Sequence, residues 1–131
     1  MIDFDNIKHI AIIGLSPNPD KPSHQVALYL QSKGYEIFPI YPKPQIILGK
    51  MALPNIQSLA NLPIEWVVVF RKSELCEQIT QEIIALHSPS IKGIWLQLGI
   101  KNPQAQALAL QHGLEFVQDH CIKIEREKYE N

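Results

Sequence analysis

The segment Trp66-Val67-Val68-Val69-Phe70 constrains this chain more than any other. It is uncharged, β-branched and aromatic, and has no polar face. Such a run of strand length needs cover on both faces, as in the middle of a parallel sheet. Ile7–Ile13 (IKHIAII), ended by Gly14, and Tyr35–Ile40 (YEIFPI), preceded by Gly34, have the same character. Gly93–Leu96 (GIWL) and Leu114–Val117 (LEFV) are weaker strand signals. Helical patterns fall between them. Ser23 is placed to cap a helix with Val26, Leu30 and Lys33 on one face and Ala27 alongside, stopped by Gly34. Ser73 opens a second, with Leu75, Cys76, Ile79, Ile83 and Leu86 at three-to-four spacing. Asn102-Pro103 starts a third that carries Ala105, Leu108, Ala109 and His112 and stops at Gly113. Ser58-Leu59-Ala60 reads as a short helical turn, and the charged tail Glu125–Asn131 as a solvated end.

The expected order is β-α-β, a proline-rich connection, then β-α-β-α-β. That alternation predicts an α/β protein with a doubly wound, parallel, five-stranded sheet, in the order 3-2-1-4-5. At 131 residues the chain is expected to form one domain over 1–131. Lys plus Arg is 12 against 13 for Asp plus Glu, a net charge of -1. This balance lacks the electrostatic footprint of a duplex-DNA or membrane-surface binder, yet leaves room for a local cationic cluster. The acids at Asp3 and Asp5 stand where a signal peptide needs basic residues, and no apolar run reaches 18 residues, so a cytoplasmic location is expected. Cys76 and Cys121 form no CxxC pair, so no metal site is expected; Cys76 reads as a small core hydrophobe.

In an open parallel sheet, ligands bind beyond the carboxyl ends of the strands. That rule selects five loops: 14–23, 41–44, 71–73, 97–102 and 119–121. In the first, Gly14 allows a tight turn, Ser16 and Ser23 offer hydroxyls, and Lys21 offers charge at a helix start where a phosphate can be received. The loop is neither GxGxxG nor a Walker loop, and its three prolines stiffen it, so a rigid turn without ligand remains open. The second strand ends Tyr41-Pro42-Lys43, with a lysine where a dinucleotide site usually has its ribose-binding acid. Lys43 there suits a phosphorylated ribose or another anion, or is an exposed surface lysine. Phe70-Arg71-Lys72-Ser73 brings two cations and a cap; Arg71 serves a phosphate or pairs with a neighbouring carboxylate. Gln97 can hydrogen-bond an amide or an adenine edge, and Gly99 permits close approach of a ligand to the backbone. Trp95 reads as core. His9 reads as a packed or edge strand residue, and His24, His87 and His112 as solvated or capping. Asp119, His120 and Cys121 are adjacent rather than converging, so no catalytic residues are assigned.

Taken together, Gly14-x-Ser16-x-x-x-x-Lys21-Pro22-Ser23, Gly34-Tyr35 with Phe38-Pro39-Ile40-Tyr41-Pro42-Lys43, Val69-Phe70-Arg71, Trp95-Leu96-Gln97-Leu98-Gly99 and Asp119-x-Cys121 resemble the standalone CoA-binding domain family. The likeness runs from about Ile7 to Cys121. That family is similar to the Rossmann-like CoA-binding domain of the succinyl-CoA synthetase α-subunit and of NDP-forming acyl-CoA synthetases. The resemblance implies a nucleotide-type ligand, coenzyme A. Gly14, Leu15, Ser16 and Lys21 would then line the adenosine and phosphate region, with Ser23 at the same helix start. Pro42 and Lys43 would meet the phosphate-bearing ribose. Phe70, Arg71 and Ser73 would face the adenine or diphosphate, and Gln97, Gly99 and Asn102 the pantetheine. The family more often carries arginine at Lys21; lysine keeps the charge and loses the bidentate fork. The synthetases' phosphohistidine and ligase domain have no counterpart, so thioester formation is not carried over. The leading expectation is a binder of CoA or acyl-CoA without chemistry of its own. Four alternatives stay open: an enzyme or subunit of acyl-CoA metabolism, an NAD- or nucleotide-binding domain, a thiol at Cys121 forming a mixed disulfide with CoA, and a domain used only for assembly. A homo-oligomer or a partner enzyme is compatible with each.

Overall fold

In a computed structural model, which describes residues 2–130, the expected strands and helices alternate as read. β1 (His9–Ile13), β2 (Glu36–Ile40), β5 (Trp66–Val69), β6 (Gly93–Leu96) and β7 (Glu115–Val117) form one parallel sheet in the order β2-β1-β5-β6-β7. Counting those five strands in chain order gives 2-1-3-4-5. The α/β, doubly wound class holds, and one strand stands elsewhere than in the expected 3-2-1-4-5. The third strand lies at the centre, between β1 and β6, instead of outside β2. Its own composition is the reason. Trp66, Val67, Val68 and Val69 are all buried, and an edge position would leave one side of that ladder unpaired.

Four helices cover the two faces: α1 (Pro22–Ser32), α2 (Cys76–Ala85), α3 (Pro103–Gln111) and α4 (Ile122–Glu130). Alternation along β5 splits the core. Trp66 and Val68 join Val26, Leu30 and Ile122 on the α1/α4 side; Val67 and Val69 join Cys76, Ile79, Ile83 and Ala105 on the α2/α3 side. Trp66 and Trp95 meet edge to face at 6.1 Å between ring centroids. Gly93, opposite Trp66 in register, makes room for that ring, since a Cβ there would lie 2.5 Å from it.

The tail is a correction. The charged run 125–130 is helical and docked, though residues 127–130 stay exposed, because its charges have partners on neighbouring elements. Arg126 Nε donates to the Tyr35 hydroxyl (3.0 Å) and its Nη1 to Glu130 (3.1 Å). Tyr29 Oη donates to Glu130 Oε1 (2.8 Å), and Lys33 pairs with the same carboxylate at 2.9 Å. Lys33 is thus exposed at the end of α1 rather than on its apolar face. The proline-rich connection holds a hairpin, β3 (Ile46–Ile47) and β4 (Lys50–Met51), turned by Leu48 and Gly49, both at positive φ. The expected helical turn at 58–60 runs from Ile56 to Leu59, capped by the Asn55 side chain. No helix among the described residues is long and apolar enough to cross a membrane.

Candidate functional site at the carboxyl edge

With the order 2-1-3-4-5, the chain adds strands to one side of β1 and then to the other, so the order reverses between β1 and β5, and the loops leaving those two strands are neighbours. Gly14 continues the ladder by donating to the carbonyl of Ile40 (3.2 Å), and Phe70 N–H donates to Ile13. Gly14 has φ +82°, and a Cβ there would stand 2.6 Å from the Phe70 carbonyl oxygen and 3.2 Å from Arg71 Cδ. Only glycine lets the two loops close on each other here.

Beside this contact lies a cleft of about 400 Å³. Its floor and walls are Ile13, Ile40, Ile56, Leu75 and Ile79; its mouth carries Gly14, Pro42 and Arg71. Three of the five selected loops therefore meet on one hollow. The Tyr41–Pro44 loop is held against it because Leu53 bridges to the end of β2, accepting from Tyr41 N–H (2.9 Å) and donating to the Pro39 carbonyl (2.8 Å). Lys21, Lys43, Arg71 and Lys72 make no ion pair with any described residue. At the opposite, amino edge of the sheet the charges are matched. His9 lies 3.5 Å from Glu36 and 3.3 Å from Glu65, and Lys50 and Lys92 pair with those same acids. In a wider hollow there, lined by Asp5, Lys8, His9, Glu65 and Ser90, the Glu65 carboxylate accepts from the backbone amides of Lys8 and His9, and the Ser90 hydroxyl donates to the Leu62 carbonyl. Burial pushes the Glu65 carboxyl up, but the amides of Lys8 and His9 and the His9 ring more than offset it, leaving it below the usual range.

The first loop is largely self-bonded. Ser23 Oγ accepts from Ser16 N–H (3.0 Å), Ser16 Oγ accepts from Asn18 N–H (3.1 Å), and the His24 ring meets the Ser16 carbonyl at 2.9 Å. Leu15 is fully buried in the core, so only its backbone can face a ligand. The amides of Leu15 and Ser23 have no partner among the described residues, whereas those of Ser16, Asn18, Asp20 and Lys21 are used within the loop. Lys21 stands exposed at the start of α1.

The remaining expected residues serve as struts between loops. Ser73 Oγ accepts from Lys101 N–H (3.0 Å), and Asn102 Nδ2 donates to the Ser73 carbonyl (2.9 Å) while its Oδ1 caps α3 at Ala105 N–H. Gln97 is buried, and its Oε1 accepts from Ile122 N–H (2.9 Å), so it caps α4. Gly99, at φ +84°, donates to Asp119 Oδ1 at 2.7 Å. That bond, then the Lys101 ammonium, holds the Asp119 carboxyl below its ordinary range. Phe70 is half-buried against the α1/α4 core. Trp95 is core, its indole N–H donating to the His120 carbonyl (2.8 Å). Cys76 is buried, and burial pushes its thiol up to about 11; Cys121 is a half-buried free thiol. No cluster of three or more His, Cys, Asp or Glu able to hold a metal occurs among the described residues. Sequence reasoning missed the cleft's other walls, Pro54–Ile56, Glu74 in the turn before α2, and the α2 side chains Gln78 and Glu82. The signal was there: residues 74, 78 and 82 are spaced four apart beside the apolar Leu75 and Ile79.

A doubly wound parallel sheet with an open cleft at its switch point places the chain in the Rossmann-like α/β class. Comparison with known proteins narrows this. Residues 8–127 match the CoA binding domain family, and the chain belongs to that family. It is 35% identical over 117 residues to the uncharacterized protein YneT of Bacillus subtilis (strain 168), covering 89% of this chain and 84% of that one. Among solved structures it is similar to a Thermus thermophilus protein, cell-free ID.343, at 28% identity and a TM-score of 0.87, with 95% of this chain and 92% of the other covered. It is likewise similar to a hypothetical protein from Pyrococcus horikoshii OT3, at 29% identity and a TM-score of 0.87, with 98% and 87% covered.

Proposed function

We propose that the chain acts as a single unit that binds coenzyme A, free or acylated, at the carboxyl edge of its sheet, and performs no chemistry of its own. The observation that carries this reading is the meeting of Gly14, Pro42 and Arg71 on one cleft, bordered by loops whose cations Lys21, Lys43, Arg71 and Lys72 no described carboxylate neutralises. CoA is a polyanion with an uncharged base at one end. It needs cations for its phosphates and an apolar slot for its ring, and the edge offers both. The free amides of Leu15 and Ser23 supply donors at the start of α1, where the helix end favours an anion. Gly99 at the rim supports a backbone approach for the pantetheine arm, with Gln97 and Asn102 holding the loop's shape. Absence of chemistry is supported by the nucleophiles nearest the edge. The Oγ of Ser16 and Ser73 bond to backbone amides, and neither they nor the Cys121 thiol bond to a histidine or carboxylate among the described residues.

Isothermal titration with CoA, dephospho-CoA, NAD and ATP tests the reading. CoA is expected to bind most tightly. A preference for NAD, or binding of none of the four, overturns it. Mass spectrometry of acyl-CoAs incubated with the protein is expected to return them unchanged; consumption of one makes the protein an enzyme of acyl-CoA metabolism instead.

A further inference from the structure

A separate hollow of about 150 Å³ lies where α2 and α3 end, at the amino edge of the sheet. Its walls are apolar, from Ile83, Ile84, Ile91 and Leu114, and two imidazoles, His87 and His112, line it with them. Among the described residues no carboxylate, lysine or arginine lines it. α2 stops at Ala85 and α3 at Gln111, and a histidine follows each within two residues. The last carbonyls of a helix carry partial negative charge, so a hollow between two such ends favours a cation over an anion.

Each ring is prepared in its own way. His112 Nδ1 lies 3.0 Å from the Leu108 carbonyl oxygen. That oxygen can only accept, so in the neutral ring Nδ1 holds the proton and Nε2 keeps its lone pair. A histidine whose one nitrogen is tied to a backbone carbonyl is oriented to ligate a metal through the other. His87 stands at φ +49°, in the left-handed place past a helix end that glycine usually fills. The rings of His9, His24, His112 and His120 each meet a protein group, whereas that of His87 bonds to none of the described residues. A hollow of this volume is about 5 Å across, and two nitrogens sharing one ion stand about 3–4 Å apart, so both rings are within reach of a common ion.

We propose that His87 and His112 form a binding site for a divalent cation of the zinc or nickel type, with water completing its coordination. Imidazole suits these ions, whereas magnesium and calcium take oxygen ligands. Both residues are exposed, which gives the ion a path in. The site shares no lining residue with the carboxyl-edge cleft, so it stands or falls independently of CoA binding.

Isothermal titration of the full chain with zinc, nickel and magnesium chlorides tests the proposal. Zinc and nickel are each expected to bind once per chain, and magnesium not to bind over the same range. His87→Asn, which keeps a residue tolerant of the left-handed backbone, and His112→Ala are each expected to weaken zinc at least about tenfold, and His120→Ala, at the opposite edge, to leave it unchanged. Melting curves without metal establish that the variants fold. Paramagnetic nickel is expected to broaden the amide signals of His87, Ser88 and Leu114 and to spare Gly14 and Arg71. Failure of both zinc and nickel to bind, zinc binding that survives either variant, or broadening centred away from this hollow overturns the proposal.

Discussion

Gly14 and Lys43 test the site from two sides, one through shape and one through charge. At Gly14 the backbone is left-handed and a methyl would collide with the Phe70 carbonyl oxygen, which is backbone and cannot rotate away. Gly14→Ala must push apart the β1 and β5 loops and shift Arg71 with them. A stability loss of about 1–3 kcal/mol is expected from strain and overpacking, with weaker CoA binding alongside. Thermal melts and titration of the same variant check it; an unchanged melting temperature with full CoA affinity would contradict the close approach. Lys43 is exposed and unpaired, so its removal should leave stability alone. Lys43→Ala is expected to weaken CoA by about 1–3 kcal/mol and to spare dephospho-CoA, because only CoA carries the ribose phosphate. Equal losses for both ligands would remove Lys43 from that role. Both residues were legible because glycine after a strand and lysine in an acid's place are local signals. What Ser73, Gln97 and Asn102 do was not legible. The same side chains can serve a ligand or a neighbouring loop, and only the fold decides which loop is near.

At the scale of elements, α4 is where reading in sequence fell short. Residues 125–130 are polar all round, and a helix of that composition is stabilised only by partners that a linear pattern does not reveal. Those partners converge on Glu130. The Lys33 ammonium, then the Tyr29 hydroxyl, hold its carboxyl below the ordinary range; burial, then the same carboxylate, push the Tyr29 hydroxyl up to about 12. A carboxyl whose folded value is depressed contributes stability above the unfolded value, near 4.3, and loses that contribution as pH falls through the folded one. The docking of α4 is therefore expected to be intact near neutrality and to loosen in acid, before the central strands do. Hydrogen exchange of α4 amides against pH measures this. Glu130→Gln should flatten the acid dependence of α4 and leave β5 untouched; an unaltered acid profile in the variant would show that other groups anchor the helix. The strands were easier. Their apolar runs match β1, β2, β5 and β6 within a few residues, since each is covered on both sides and leaves an uninterrupted hydrophobic signature.

Across the whole molecule, one sheet carries two unlike edges. The amino edge neutralises itself through Glu36, His9, Glu65, Lys50 and Lys92; the carboxyl edge leaves cations unmatched around an apolar cleft. With a formal net charge of -1, composition hides this asymmetry, which arises only from where the loops fall. The strand order produces it. Placing the third strand between β1 and β6 rather than outside β2 sets Gly14 against Phe70 and Arg71, a contact the expected 3-2-1-4-5 order would not have made. The loops were therefore identifiable as a set from the alternation of strands and helices, but their pairing was not, because pairing depends on which strands are neighbours.

The most direct measurement of the central claim is the map of backbone amide chemical shifts on titration with CoA. The predicted result is perturbation gathered on one rim, at Gly14, Leu15, Ser16, Ser23, Lys43, Arg71 and Gly99, with His9, Glu36 and Glu65 at the far edge still. Shifts centred on the amino edge, or scattered without preference for either, would contradict it.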